Sequence, residues 1–192
     1  MNQIVQSLQA TAGVALVCLT LNQCASGPTT SSASASQISA DSRAALKDLY
    51  AANSKAEEIG RRAKGILVFP HIAKGGFIVG GMGGNGAMMR PDGSIREYYQ
   101  TGGLSFGLQA GAQSYGFALF LMDQNALDNV NRAGGVDLGS TPNLVVMDKG
   151  RAKTVSTASV DRGTYAFVFD QKGLMGGIDL QGSKITRINP GP

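Results

Sequence analysis

Tryptophan is absent from these 192 residues, cysteine stops at Cys24, and histidine occurs once, at His71. With only Cys18 and Cys24 present, the chain beyond residue 24 can hold neither an internal disulfide nor a thiolate zinc site. One histidine and dispersed carboxylates make no recognisable metal set, so neither a metal nor a cofactor is expected. Charge is scarce as well, at 16% of residues. Residues 1–23 carry none, and no acidic residue lies between Glu58 and Asp92. Within that acid-free stretch Arg61, Arg62, Lys64, Lys74 and Arg90 supply more positive charge than the net +4 of the whole chain. A local basic patch attracts phosphate. Cations at a helix C-terminus also complement its dipole, so the cluster at residues 61–64 has two readings, ligand contact and service to a helix.

The uncharged start includes an apolar run over residues 10–21, too short to span a bilayer and suited to the core of a secretory signal, with a buried helix as the alternative. It ends in Leu21-Asn22-Gln23-Cys24, which resembles a bacterial lipobox except at Gln23. Residues 1–23 therefore read as a signal peptide with Cys24 as the lipidation site. Residues 24–38, rich in Ser, Ala and Thr, read as a flexible tether with a reach of roughly 20 Å. Residues 39–192 form one domain.

That domain opens with an amphipathic pattern, Leu46, Leu49, Tyr50, Asn53, Ala56, Ile59 and Ala63, which predicts a single helix capped at Ser39 or Asp41 and ended by Gly65. From Ile66 the period shifts to two. Short strands are predicted at 66–69, stopped by Pro70, then at 77–82, 87–90 and 95–99, the last two joined by Pro91-Asp92-Gly93. The pivotal strand is residues 102–113. Leu104, Phe106, Leu108, Ala110 and Ala112 alternate with Gly103, Ser105, Gly107, Gln109, Gly111 and Gln113; the apolar set is expected in the core, and the bare glycine face is expected to admit a close neighbour. Residues 115–122 continue the sheet, Asp123 caps a short helix over 124–132, and strands follow at 144–147, 164–169 and 174–188, the last pair as a hairpin through residues 170–173. The sum is an α+β fold: a mainly antiparallel, strongly twisted or barrel-like sheet, an N-terminal amphipathic helix and one short internal helix.

Two catalytic-looking patterns fail on context. Residues 81–86 have dinucleotide-loop spacing, but Pro91 and Gly93 arrive before any helix that could receive a pyrophosphate. Gly103-Leu104-Ser105-Phe106-Gly107 matches a nucleophile elbow, but Ser105 is in phase with the strand and His71 lies upstream. No catalytic residue is assigned, and the chain is not expected to be an enzyme. Nucleic acid is set aside because neither aromatic platforms nor a recognition helix accompany the basic stretch.

Ala63-Lys64-Gly65-Ile66-Leu67-Val68-Phe69-Pro70, Lys74-Gly75-Gly76-Phe77-Ile78-Val79-Gly80-Gly81, residues 107–113 and Lys172-Gly173-Leu174-Met175-Gly176-Gly177-Ile178-Asp179-Leu180-Gln181-Gly182-Ser183 together resemble the SYLF-domain family, in order, over about residues 45–188. The resemblance implies a non-enzymatic domain binding anionic or phosphoinositide-type headgroups through an amphipathic helix and basic residues near it. Its bacterial members are exported, often as lipoproteins. On that reading Arg61, Arg62, Lys64, Lys74 and Lys172 contact lipid, and Cys24 anchors the chain in the cell envelope, in the outer membrane or periplasm if there are two membranes. Tyr98-Tyr99 stands where many eukaryotic members carry tryptophan. The alternative is a structural or partner-binding envelope lipoprotein without headgroup recognition, its glycine face docking another protein.

Overall fold

A computed structural model describes residues 33–141, 143–147, 162–173 and 183–191, with side chains excepted at 77–79, 105–111 and 173. The expected signal, the lipobox with Cys24, and residues 174–182 of the last predicted strand lie outside the described residues.

Two helices stand where one was predicted. Helix α1, Ala35–Ala52, begins inside the expected tether: Ser34, not Ser39 or Asp41, caps it, its hydroxyl accepting from the Gln37 N–H at 3.3 Å. Ser39 sits one turn in, donating to the Ala35 carbonyl at 2.7 Å. The break is at Asn53, whose side chain accepts from the N–H groups of Lys55 and Ala56 and so caps α2, Ser54–Arg62. An asparagine in the apolar phase of a helix pattern has become the cap of a second helix, because its amide competes for backbone donors. Ala63, rather than Gly65, ends α2.

The strands predicted from 66 to 90 merge into one, β1, Gly65–Met89, and those from 95 to 122 into β2, Ile95–Leu121. They pair antiparallel along their whole length. Their turn is the predicted one, with Gly93 at φ 82° and Asp92 accepting from the Ser94 N–H at 2.8 Å. Pro70 does not stop β1; it falls in the register shift between Phe69 and Ile72, where an irregular ladder tolerates its missing donor. Helix α3, Gln124–Val130, follows β2, and then come β3, Val136–Asp137, β4, Leu144–Met147, β5, Thr164–Gly173, and β6, Ser183–Ile188. The hairpin expected through residues 170–173 is absent: β5 runs through them, and both β5 and β6 pair with β2. They also keep one register. Gln113 faces Gly173 and Gly103 faces Ser183, ten positions apart on each strand, so β5 and β6 are collinear along the same edge of β2. β4 joins β5 in parallel, which makes the sheet mixed rather than wholly antiparallel. Among the described residues the fold is α+β, a strongly curled half-barrel with three α-helices.

Two cores follow from the two faces of β2. Tyr115, Phe117, Leu119 and Leu121 point inward with Leu67, Phe69, Ile72, Met82, Met88 and Tyr99, closed by Ala126, Leu127 and Val130 of α3. Ala118 and Phe120 point outward with Ile66, Val68 and Phe167, under Leu46, Leu49, Ala56 and Ile59 of α1 and α2. This inverts the faces predicted for residues 102–113 at the positions whose side chains are described. Leu104 is 66% exposed and Ala112 is exposed, whereas Gln113, assigned to the bare side, is 6% exposed. Close backbone approach does occur, but at Gly84 and Gly86 of β1: a Cβ built on them would overlap the carbonyl oxygens of His71 and Val68. The hairpin thus folds over, the second half of β1 lying against the first. In β2 the backbones of Gly107 and Gly111 pair with Ile78 and Gly76 of β1, and the surroundings of their bare positions lie outside the described residues.

Asp123 joins three pieces of this frame. Its carboxylate accepts from the Ala126 N–H and from the Gly163 N–H, each at 2.8 Å, capping α3 and holding the start of β5. Those backbone donors hold its pKa below the ordinary carboxylate value. A depressed pKa means stability that is present above the unfolded-state value and lost as pH falls through the folded one. Asp123→Ala is expected to cost about 1–2 kcal/mol at pH 7 in urea denaturation. The gap between parent and variant should close as pH drops below about 4; a gap unchanged at pH 3 would rule the carboxylate out as its source.

Candidate functional site

Arg61 and Arg62 are exposed on the last turn of α2, and Lys64 is exposed immediately after its buried C-cap, Ala63. The Lys64 N–H donates to the Leu121 carbonyl at 2.7 Å, so the corner carrying these cations is fastened to the end of β2. Arg61 Nη1 meets Glu57 Oε1 at 2.8 Å with both side chains largely in solvent. A pair of that kind contributes only a few tenths of a kcal/mol, and a phosphate can compete for the guanidinium. The acid in the first turn of α2 and the two arginines in its last also follow the helix dipole, so the structural role foreseen for the cluster is satisfied at the same time.

Lys74 and Lys172 are not part of that corner. Lys74 faces Gln113 and Lys172 faces Ser114, while the corner is tied to Leu121; seven or eight positions of strand put them roughly 25 Å away. Nor do they join each other. Gln113 and Ser114 are consecutive in β2, so the register directs Lys74 to the inner face and Lys172, exposed on β5, to the outer one. The five predicted lipid-contacting residues therefore divide into one corner of three and two separate single positions. His71 is exposed at the β1 irregularity. Residues 81–86 and 103–107, which carry the two rejected motifs, lie within β1 and β2.

Other polar residues, to which the sequence assigns no site role, are brought together by the strands. Tyr98 points outward, its hydroxyl 2.9 Å from that of Ser39, and ties α1 to the sheet. Tyr99, its neighbour, points inward and is fully buried; its hydroxyl donates to Glu97 Oε2 at 2.7 Å and bonds Asn131 Oδ1. Burial, reinforced by the Glu97 carboxylate, pushes its pKa upward. Glu97 also pairs with Arg187 at 3.1 Å, linking β2 to β6. The inner face carries Thr101 and Gln113 as well, both buried. The signal available in the sequence was their phase: they share odd positions with Tyr99, Tyr115 and Phe117.

Residues 102–189 match the family model described as Ysc84, Las17-binding protein actin regulator. The match begins in the first third of β2, takes in Lys172, and leaves the α2 corner and Lys74 upstream. An SH3 domain-containing protein of Schizosaccharomyces pombe is 31% identical over 127 residues, which is 63% of this chain and 29% of that protein. This chain therefore spans less than a third of that relative's length.

Proposed function

We propose that this chain is a non-enzymatic binding domain that engages anionic, phosphoinositide-type headgroups at a membrane surface, a reading supported by the match of residues 102–189 to the Ysc84 (SYLF) family model. The observation that supports the reading most is the corner formed by Arg61, Arg62 and Lys64: three exposed cations in four residues, in a stretch with no acid from Glu58 to Asp92. Presentation as an exported lipoprotein anchored through Cys24 in the cell envelope belongs to the same proposal. It would hold the corner near a bilayer, where each basic group contributes about 1 kcal/mol toward an anionic surface.

Replacing Arg61, Arg62 and Lys64 together by alanine is expected to weaken sedimentation of the full chain with anionic vesicles by up to about 3 kcal/mol, roughly a hundredfold. The parent's binding should also fall as salt rises. Lys172→Ala should have a small effect, since one outlying charge adds little. Equal binding to neutral and anionic vesicles, or a triple variant that binds like the parent, refutes the reading.

The family description favours a second reading, a domain that binds a protein partner, in which lipid serves only as an anchor. Leu104, 66% exposed on the outer face of β2, is the most exposed large apolar side chain among the described residues and is available for such a contact. A stoichiometric partner recovered from envelope extracts, lost on Leu104→Asp, together with indifference to headgroup charge, would decide for it.

A further inference from the structure

The two halves of β1 lie against each other in opposite directions. A Cβ built at Gly86 or Gly84 would overlap the carbonyl oxygen of Val68 or of His71, and one built at Gly65 would come within 3.1 Å of the Met88 sulfur. As the first half advances from Gly65 through Val68 to His71, the second retreats from Met88 through Gly86 to Gly84. Carried one or two positions past the contact of Gly65 with Met88, that order sets Lys64 against the end of β1, where Met89 gives way to Arg90. The burial pattern agrees. Ala63 and Met89 are buried in one apolar cluster, and each is followed at once by an exposed cation, Lys64 and Arg90.

The curl thus returns the turn of the hairpin to the corner at which the hairpin began. Arg90 is held on that turn, its N–H donating to the Ser94 carbonyl at 2.9 Å and its Nη1 to Ser94 Oγ at 3.0 Å. Helix α1 braces the turn from the other side, with Arg43 Nε donating to the Gly93 carbonyl at 3.3 Å. Both arginines are exposed. A hydroxyl or a carbonyl occupies only part of a guanidinium's donor set, which leaves donors on each for an anion. Little negative charge competes. The acid of the turn, Asp92, accepts from the Ser94 N–H at 2.8 Å, and Glu57 of α2 is paired with Arg61.

We propose that Arg90 is the fourth cation of the α2 corner, and that the β1–β2 turn, positioned by Arg43, forms with that corner one continuous basic surface. Arg61, Arg62 and Lys64 approach an anionic surface from the end of α2, and Arg90 approaches it from the turn. The acid-free stretch between Glu58 and Asp92 then has a spatial meaning, because its two ends meet. Charge alone does not single out Arg90 from the other exposed cations; the fold-over of β1 does. The ligand of this surface rests on the headgroup reading above, whereas the meeting of Lys64 and Arg90 does not.

The test has two arms, both on the full chain. In a chain whose Cys18 and Cys24 are replaced by serine, Lys64→Cys and Arg90→Cys are spin-labelled together. Dipolar broadening is expected for that pair and not for Lys74→Cys with Arg90→Cys, since Lys74 lies ten positions farther along β1. In the second arm, Arg90→Ala is expected to weaken co-sedimentation with phosphatidylglycerol vesicles about fivefold, as Lys64→Ala does. Lys184→Ala removes the same charge from an exposed position on β6 and should change binding by less than about twofold. The Arg90 side chain bonds Ser94 at the surface, so its variant should melt with the parent. An unbroadened pair of labels at 64 and 90, or a parent that prefers anionic vesicles with no regard to Arg90, overturns the proposal and leaves the three-residue corner standing. A parent that binds neutral and anionic vesicles equally sinks the headgroup reading, and this proposal with it, even where broadening brings the two residues together.

Discussion

Gly86→Val is expected to destabilise the protein by about 3 kcal/mol or more, while Gly81→Val, five residues earlier in the same strand, is expected to cost nothing measurable. A Cβ at residue 86 would overlap the Val68 carbonyl oxygen and crowd the Phe69 ring, so the backbone of the facing segment must move. At residue 81 the same atom would meet no heavy atom within 4 Å, and the position is exposed. Valine favours a strand at an open position and cannot enter a closed one. The pair therefore tests the fold-over of the hairpin by itself, with strand propensity held constant. Urea midpoints that move equally for both variants would show that the two halves of β1 do not lie against each other.

Phe120→Ala should be the most damaging single truncation, at about 3–5 kcal/mol. Its ring is fully buried where the helices meet the sheet, 5.2 Å from Phe167 in an edge-on arrangement and 6.3 Å from Tyr50. Gly60 of α2 lies close above, and a Cβ there would strike the Tyr50 ring. Removing the ring leaves a cavity under both helices and takes away part of what keeps water from Tyr50. The Tyr50 phenol is pushed up to about 12, first by that burial and then by the Glu57 carboxylate. Spectroscopic titration should accordingly find one tyrosine moving back toward 10 in the variant. Amide exchange in α2 should accelerate more than in α3, which packs on the opposite face. Equal acceleration in both would mean that the damage is global rather than confined to the helical layer.

Much of this frame is legible in the residues because local chemistry decides it. Pro91-Asp92-Gly93 makes its turn with the side chain and the positive φ that those residues favour, Asp123 caps α3, and the alternation of β2 separates its described side chains into two faces. Which face lies inside is not a local matter. Leu104 and Ala112 look like core beside glycines, but the curl turns their side outward, as Tyr99, Tyr115 and Phe117 at the opposite parity indicate. Pro70 reads as a stop only if the ladder needs its donor, and an irregularity in β1's pairing with a partner forty-odd residues away removes that need. The candidate site divides in the same way. Arg61, Arg62 and Lys64 are neighbours in sequence and in space, whereas Lys74 and Lys172 were grouped with them by charge alone and separate once register assigns them to opposite faces. Thr101 and Gln113 are legible only through their phase with Tyr99, Tyr115 and Phe117, since a buried polar group becomes conspicuous only when its partners can be sought.

The collinear placement of β5 and β6 along β2 has a consequence for how the molecule comes into being. The β1–β2 hairpin closes around its own turn and can zip outward as soon as residue 121 has been made, but the other edge of β2 waits for Thr164 to Gly173 at one end and for Ser183 to Ile188 at the other. Tyr98 pairs with Ile188, ninety positions later. Contacts so distant in sequence slow folding, because the loop must close before the pairing offers any return. Throughout that interval a growing chain presents a strand of more than twenty residues with one side of its ladder open, an edge other strands can add to. Ribosome-bound chains truncated before residue 164 should therefore associate with one another, and chains carried past residue 188 should not.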